Sequence, residues 1–177
     1  MKDWPEKSAE VTRRIEEEFP GAIEEIVDFR DERTLVVEGK ELKALCTFLR
    51  DDPDLRYQLL EDIVADDMLP DFPRFAINYH VYSIPVNHRL RLRVLVEDPE
   101  HGPETLAEVW PVATWLEMEV WDLMGVRFKG NEHLRRLFLP EDWQGHPLLK
   151  DYPLGYEEVQ FSFNCEAVDA KKPYAKE

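Results

Sequence analysis

The sequence predicts an α+β fold: a mixed or antiparallel sheet with helices packed on one face, followed by an irregular C-terminal docking segment. Three observations carry this. Apolar residues recur at three- and four-residue spacing in three separated stretches, the period of a helix with one buried face. Between those stretches apolar and polar residues alternate, the period of a strand, most clearly over residues 75–96. Beyond residue 139, Pro140, Pro147, Pro153, Gly145 and Gly155 leave little room for regular structure. The expected organisation is an α+β domain over 1–139 and an extended segment over 140–177.

In chain order, the first helix is expected over 8–19, with Ser8 as its cap and Val11, Ile15 and Phe19 on one face; Pro20-Gly21 stops it. Residues 22–30 and 34–38 read as two strands around an Asp31-Glu32 turn. A second helix over 40–50 aligns Leu42, Leu45, Cys46 and Leu49, and Asp51-Asp52-Pro53-Asp54 terminates it. A strand at 58–65 leads into a loop at Asp66-Asp67-Met68-Leu69-Pro70. In the hairpin after that loop, Phe75, Ile77, Tyr79 and Val81 face one way; Leu90, Leu92, Val94 and Val96 alternate with Arg89, Arg91 and Arg93, which project from the other face. Thr105-Leu106-Ala107-Glu108 matches a capping box opening a short turn. Pro111 fits the first position of a third helix running to about 124.

Composition excludes several functions. A net charge of −16 disfavours nucleic acid, whose phosphates are neutralised by Lys and Arg, and anionic lipid as well. Cys46 and Cys165 form no CxxC pattern, and Cys46 on an apolar helical face reads as a small buried thiol. Ligands for a zinc or iron–sulfur site are too few. No segment approaches the ~18 apolar residues of a membrane span, and the N-terminus lacks the apolar core of a signal peptide. The chain is therefore expected in the cytoplasm, reaching a membrane only through a partner.

The chemistry concentrates on the third helix and the stretch after it. Ala113, Leu116, Val120 and Met124 form an apolar stripe with Glu117 at its edge. Glu119 lies on the opposite side, three residues from Asp122, and two like charges at that spacing call for a cation between them. As enzyme chemistry the pair would be a general acid and base. As architecture it anchors basic groups, with Arg127, Arg135 and Arg136 nearest in sequence; the architectural reading is preferred, because no nucleophile, metal or oxyanion hole is signalled. The five histidines show no HxH or HExxH spacing, and the glycines form no phosphate loop. Downstream, Arg135, Arg136, Trp143, His146, Pro147, Lys150, Asp151 and Tyr152 offer the aromatic and basic contacts that dominate protein interfaces, pre-ordered by proline. A segment folded back over its own domain is the plainer alternative.

The run Trp115-Leu116-Glu117-Met118-Glu119-Val120-Trp121-Asp122-Leu123-Met124-Gly125-Val126-Arg127-Phe128 resembles the signature of the thirty-kilodalton, or C, subunit family of NADH-quinone oxidoreductase, respiratory complex I. The resemblance continues through Leu134-Arg135-Arg136 to Gly145-His146-Pro147-Leu148 and Lys150-Asp151-Tyr152-Pro153-Leu154, and covers about residues 22–163. Two positions depart from the family pattern: Met118 stands where arginine is usual, and Asn131-Glu132-His133 stands where His-Pro-Asp is usual.

The resemblance implies a structural and assembly subunit of the hydrophilic arm, supporting electron transfer from NADH to quinone coupled to proton translocation. It implies no cofactor on this chain, with flavin and iron–sulfur clusters on partner subunits. The implied partners are the large quinone-site (D) subunit and the cluster-bearing (B) subunit, at the cytoplasmic face of the inner membrane. Two alternatives stand beside it: the equivalent subunit of a membrane-bound hydrogenase or a deazaflavin- or ferredoxin-dependent relative, and a free-standing enzyme using Glu119, Asp122 and His146.

Overall fold

The computed structural model describes residues 4–153; Cys165 and the part of the expected C-terminal segment from 154 onward lie outside the described residues. Three helices, α1 (Trp4–Glu18), α2 (Leu42–Asp51) and α3 (Ala113–Met124), accompany five strands: β1 (Ile23–Phe29), β2 (Glu32–Val37), β3 (Leu59–Asp67), β4 (Phe75–Ser83) and β5 (His88–Val96). The strands form one sheet in the order β1-β2-β5-β4-β3. It is mixed: β2 and β5 run parallel at its centre, and every other pair is antiparallel.

The core follows from strand alternation. Leu35, Val37, Ile77, Tyr79, Val81, Leu90, Leu92 and Val94 point to one side, and Val11 and Ile15 of α1, Leu42, Leu45 and Leu49 of α2, and Ala113 and Val120 of α3 join them in one apolar cluster. Sharing that cluster places the helices on one face, as expected from the element order. On the other face Arg89 pairs with Glu61, the Arg91 guanidinium reaches Thr34, and Arg93 bonds Asn78. A bulge between Leu60 and Asp62 restores the alternation of β3, keeping Leu60 and Ile63 both inward.

Several boundaries differ from the sequence expectation. The first helix starts at Trp4, with Pro5 in its first turn, where a missing N–H costs nothing. Ser8 is therefore inside the helix, buried, and its hydroxyl is hydrogen-bonded to Nε2 of the buried His88 rather than capping. The first hairpin turns at Arg30-Asp31, both at positive φ, one residue before the expected turn. Asp66 and Asp67 belong to β3, not to a loop. Thr105 accepts from the N–H of Ala107, but Glu108 swings out to Lys43, so the local capping box does not close. Pro111 sits in the turn just before α3 rather than at its first position.

Candidate functional site

α3 carries two fully buried carboxylates, Glu117 and Asp122, both at 0% exposure. At about 100° per residue they project from different sides of the helix and serve different loops.

Asp122 organises the chain beyond the helix. Its Oδ2 accepts the consecutive N–H groups of Leu137, Phe138 and Leu139 at 3.0, 2.8 and 3.1 Å, and its Oδ1 accepts Arg136 Nη1 at 3.0 Å. Burial pushes the carboxyl pKa up, but the N–H bonds and the Arg136 bond outweigh it and hold the group below the usual range. Arg136 donates as well to the carbonyls of Asp122, Trp143 and Gly145, and its guanidinium lies 5.4 Å from the Trp121 ring centroid. Nδ1 of His146 donates to the Asp122 carbonyl at 2.9 Å, and its ring stands edge-on to Trp121. Gly125 ends the helix in the left-handed region, at φ 80°, and a Cβ there would come within 2.8 Å of the His146 ring.

A second anchor lies at the end of β3. Asp67 accepts the N–H of Lys150 at 2.9 Å and is paired with Arg74, which also bonds Asp151 at 2.7 Å. Lys150 Nζ donates to the Leu69 carbonyl. Burial alone would raise the Asp67 pKa; the bonds from Arg74 and from the N–H groups of Lys150 and Leu69 bring it down to about 2. Between the anchors, the Tyr152 hydroxyl donates to the Gln144 carbonyl, its ring packs over Gly145, and Pro147 is half-buried.

The structure thus gathers Asp122, Arg136, Trp143 and His146 into one cluster, and ties Lys150 and Asp151 to Asp67 and Arg74. Contacts therefore cross residue 140, joining the expected extended segment to the domain. Arg135 is exposed and Glu119 half-buried, and neither has a hydrogen-bond or ion-pair partner among the described residues. Arg127 pairs instead with Glu100. Nε1 of Trp143 is buried without a hydrogen-bond partner among the described residues.

Glu117 plays a part that its place at the edge of the stripe understated. Oε1 accepts the Leu106 N–H at 2.7 Å; Oε2 accepts the Thr105 hydroxyl at 2.6 Å and the Asn131 amide at 2.9 Å. Burial raises its pKa over the opposing effect of these bonds. The available signal was its helical position beside Ala113 and Val120, both buried. Asp67 and Arg74 were also missed, and only an acid closing an alternating strand hinted at them. Both departures from the family pattern sit inside: Met118 is 1% exposed, and Asn131 is a Glu117 ligand.

Among the described residues, no group of three or more His, Cys, Asp or Glu could hold a metal ion, and no helix is long and apolar enough to cross a membrane. A cleft of about 430 Å³ lies elsewhere, lined by Arg30, Arg33, His80, Arg89 and Arg91 among others. Three of those arginines are neutralised by Asp28, Glu61 and Glu32.

Residues 35–158 match the family model described as respiratory-chain NADH dehydrogenase, 30 Kd subunit. The NADH-quinone oxidoreductase C subunit of Roseiflexus castenholzii is 41% identical over 167 residues, spanning 94% of this chain and 96% of its own. That of Geotalea uraniireducens is 44% identical over 154 residues, spanning 87% and 92%. Among solved structures, a trypsin-resistant fragment of Nqo5 superposes with a TM-score of 0.58 at 29% identity, covering 68% of this chain and 96% of the fragment. A chain of an archaeal membrane-bound sulfane sulfur reductase superposes with a TM-score of 0.69 at 18% identity, covering 97% and 96%; that likeness concerns the fold alone.

Proposed function

The chain belongs to the family of the 30 Kd subunit of respiratory-chain NADH dehydrogenase, and from that membership we propose that it is a structural and assembly subunit of an NADH-quinone oxidoreductase. The observation that carries the proposal is the match itself, which runs through α3 and both anchors of the downstream segment. The side chains agree with it. Both oxygens of Asp122 are occupied by internal donors, Glu117 is walled in by three more, and Nδ1 of His146 is committed to a carbonyl. Groups fixed in this way hold a backbone in place and have no open face for a substrate.

On this reading NADH oxidation, electron transfer through flavin and iron–sulfur clusters, and quinone reduction coupled to proton translocation take place on partner subunits. This chain carries no cofactor of its own. It lies at the cytoplasmic face of the inner membrane, held there by the large quinone-site (D) and cluster-bearing (B) subunits. Relatives near 40% identity that are named as the C subunit of this enzyme favour this assembly over a hydrogenase-type one.

Purification of the native assembly through a tag on this chain, with partners identified by mass spectrometry, tests the proposal. Co-purifying flavin and cluster subunits with NADH-dependent quinone reduction are expected. A nickel–iron hydrogenase partner, or turnover of a small substrate by the isolated chain, would overturn it.

A further inference from the structure

We infer that the β3–β4 connection, residues 68–74, is a pre-ordered apolar plug that inserts into a socket rimmed by Lys and Arg on another protein subunit of the same complex. This rests on the assembly role proposed above and names a contact element for it. Connections of this kind are ordinarily polar at the surface. This one reads Met68-Leu69-Pro70-Asp71-Phe72-Pro73-Arg74, and Phe72 is 76% exposed, more than any other large apolar side chain among the described residues. Met68 at the same tip is 36% exposed. A single exposed apolar side chain needs no explanation, but an apolar loop held rigidly outward does.

The rigidity comes from beneath. The Asp67 side chain is 2% exposed, accepts the N–H of Leu69 and the Arg74 guanidinium, and so closes the base of the loop. The N–H of Met68 donates to the Arg74 carbonyl, and that of Asp71 to the Met68 carbonyl. From the side, Lys150 Nζ holds the Leu69 carbonyl and Asp151 pairs with Arg74. Leu148, two residues before Lys150, is 58% exposed on residues 136–153, the strap that Asp122 and Asp67 tie to the domain. Ordering of this loop is thus complete before any partner arrives, which removes the main entropic cost of docking it.

Charge selects the partner. Arg74 is neutralised between Asp67 and Asp151, and the exposed Lys150 has its Nζ held at the Leu69 carbonyl. Asp66 and Asp71, by contrast, are exposed at the rim, with Asp66 accepting from the Asn78 amide and Asp71 having no partner for its carboxylate among the described residues. An acidic rim around an apolar tip is repelled by anionic lipid, and in a two-fold contact with a second copy it would face itself. A basic-rimmed protein socket matches it.

The test uses the tagged full-length chain in cells that assemble the native complex. Phe72→Ser is expected to leave the unfolding midpoint of the purified chain unchanged and to reduce recovery of the other subunits at least roughly tenfold. Asp71→Lys is expected to reduce it less, and most at low salt. A photo-crosslinking amino acid in place of Phe72 is expected to join this chain to another subunit. Equal recovery with Phe72→Ser, or a crosslink to lipid, to a second copy or within this chain, overturns the plug while leaving the assembly role standing. If the unaltered chain recovers no respiratory subunits, the assembly role itself fails.

Discussion

Glu117 and Asp122 stand five positions apart on one helix, equally buried, and are solvated by the protein in opposite ways. Asp122 meets a guanidinium and three backbone N–H groups, and its pKa is lowered. Glu117 meets a hydroxyl, an amide and one N–H with no cation, and its pKa is raised. Burial acts against charge at both sites, so the cation and the number of N–H donors decide the sign. The difference also divides the labour. Glu117 closes loops into the domain before and after α3, whereas Asp122 holds the strap that leaves it.

The sharpest way to break this contrast is Asp122→Ala. It strands Arg136 at 13% side-chain exposure and frees three consecutive N–H groups, for an expected loss of about 3–5 kcal/mol. Denaturant unfolding measures the loss, and hydrogen exchange at Leu137, Phe138 and Leu139 should speed up before the rest of the domain opens. A loss below about 1 kcal/mol would mean that the strap holds itself.

Next in size, and more diagnostic, is pH. The Asp122 pKa is below its ordinary value, so the stability it contributes is present above about pH 4 and is lost as the pH falls through its folded value. The Glu117 pKa is above its ordinary 4.5, so its contribution is full below that point and is lost as the pH rises through its folded value. The cost of Asp122→Asn should therefore shrink on acidification, and that of Glu117→Gln, about 1–2 kcal/mol at its largest, should shrink as the pH rises. Wild-type-minus-variant stability differences from about pH 3 to pH 8 that slope the same way for both substitutions would contradict the assignment.

How much of this was legible in the sequence depends on how local each signal is. The β4–β5 hairpin and the α3 stripe were readable because alternation and helical spacing are set by near neighbours, and Arg136 was among the cations named for Asp122. The remaining contacts depend on tertiary proximity. Ser8 looks like a cap until His88, 80 residues away, becomes its partner. Thr105 and Glu108 have capping-box spacing, but the Thr105 N–H that Glu108 would accept is taken by the Lys129 carbonyl, the Thr105 hydroxyl donates to the buried Glu117, and Glu108 pairs with Lys43. Asp67 and Lys150 are 83 residues apart, and no pattern within either segment connects them.

Smaller in scale is the seam between the helix end and the strap. Gly125→Ala forces a side chain into the left-handed region and against the His146 ring, so a cost of about 1–3 kcal/mol is expected. If it falls at the low end, the His146 ring has moved aside. Trp121 fluorescence would then shift, because the two rings stand 6.0 Å apart.

Glu119→Gln should do least of all, and for that reason it sharpens the comparison from the other side. Glu119 shares the helix with both hubs and carries the same carboxylate, but it is half-buried and has no partner among the described residues. A surface change of this kind is expected to stay within about 0.5 kcal/mol. Unchanged stability with intact assembly and NADH-dependent quinone reduction would show that a carboxylate on α3 matters through what it holds. Loss of assembly with unchanged stability would instead identify Glu119 as a contact made across an interface. A catalytic carboxylate would reveal itself differently again, by loss of turnover in a complex that still assembles.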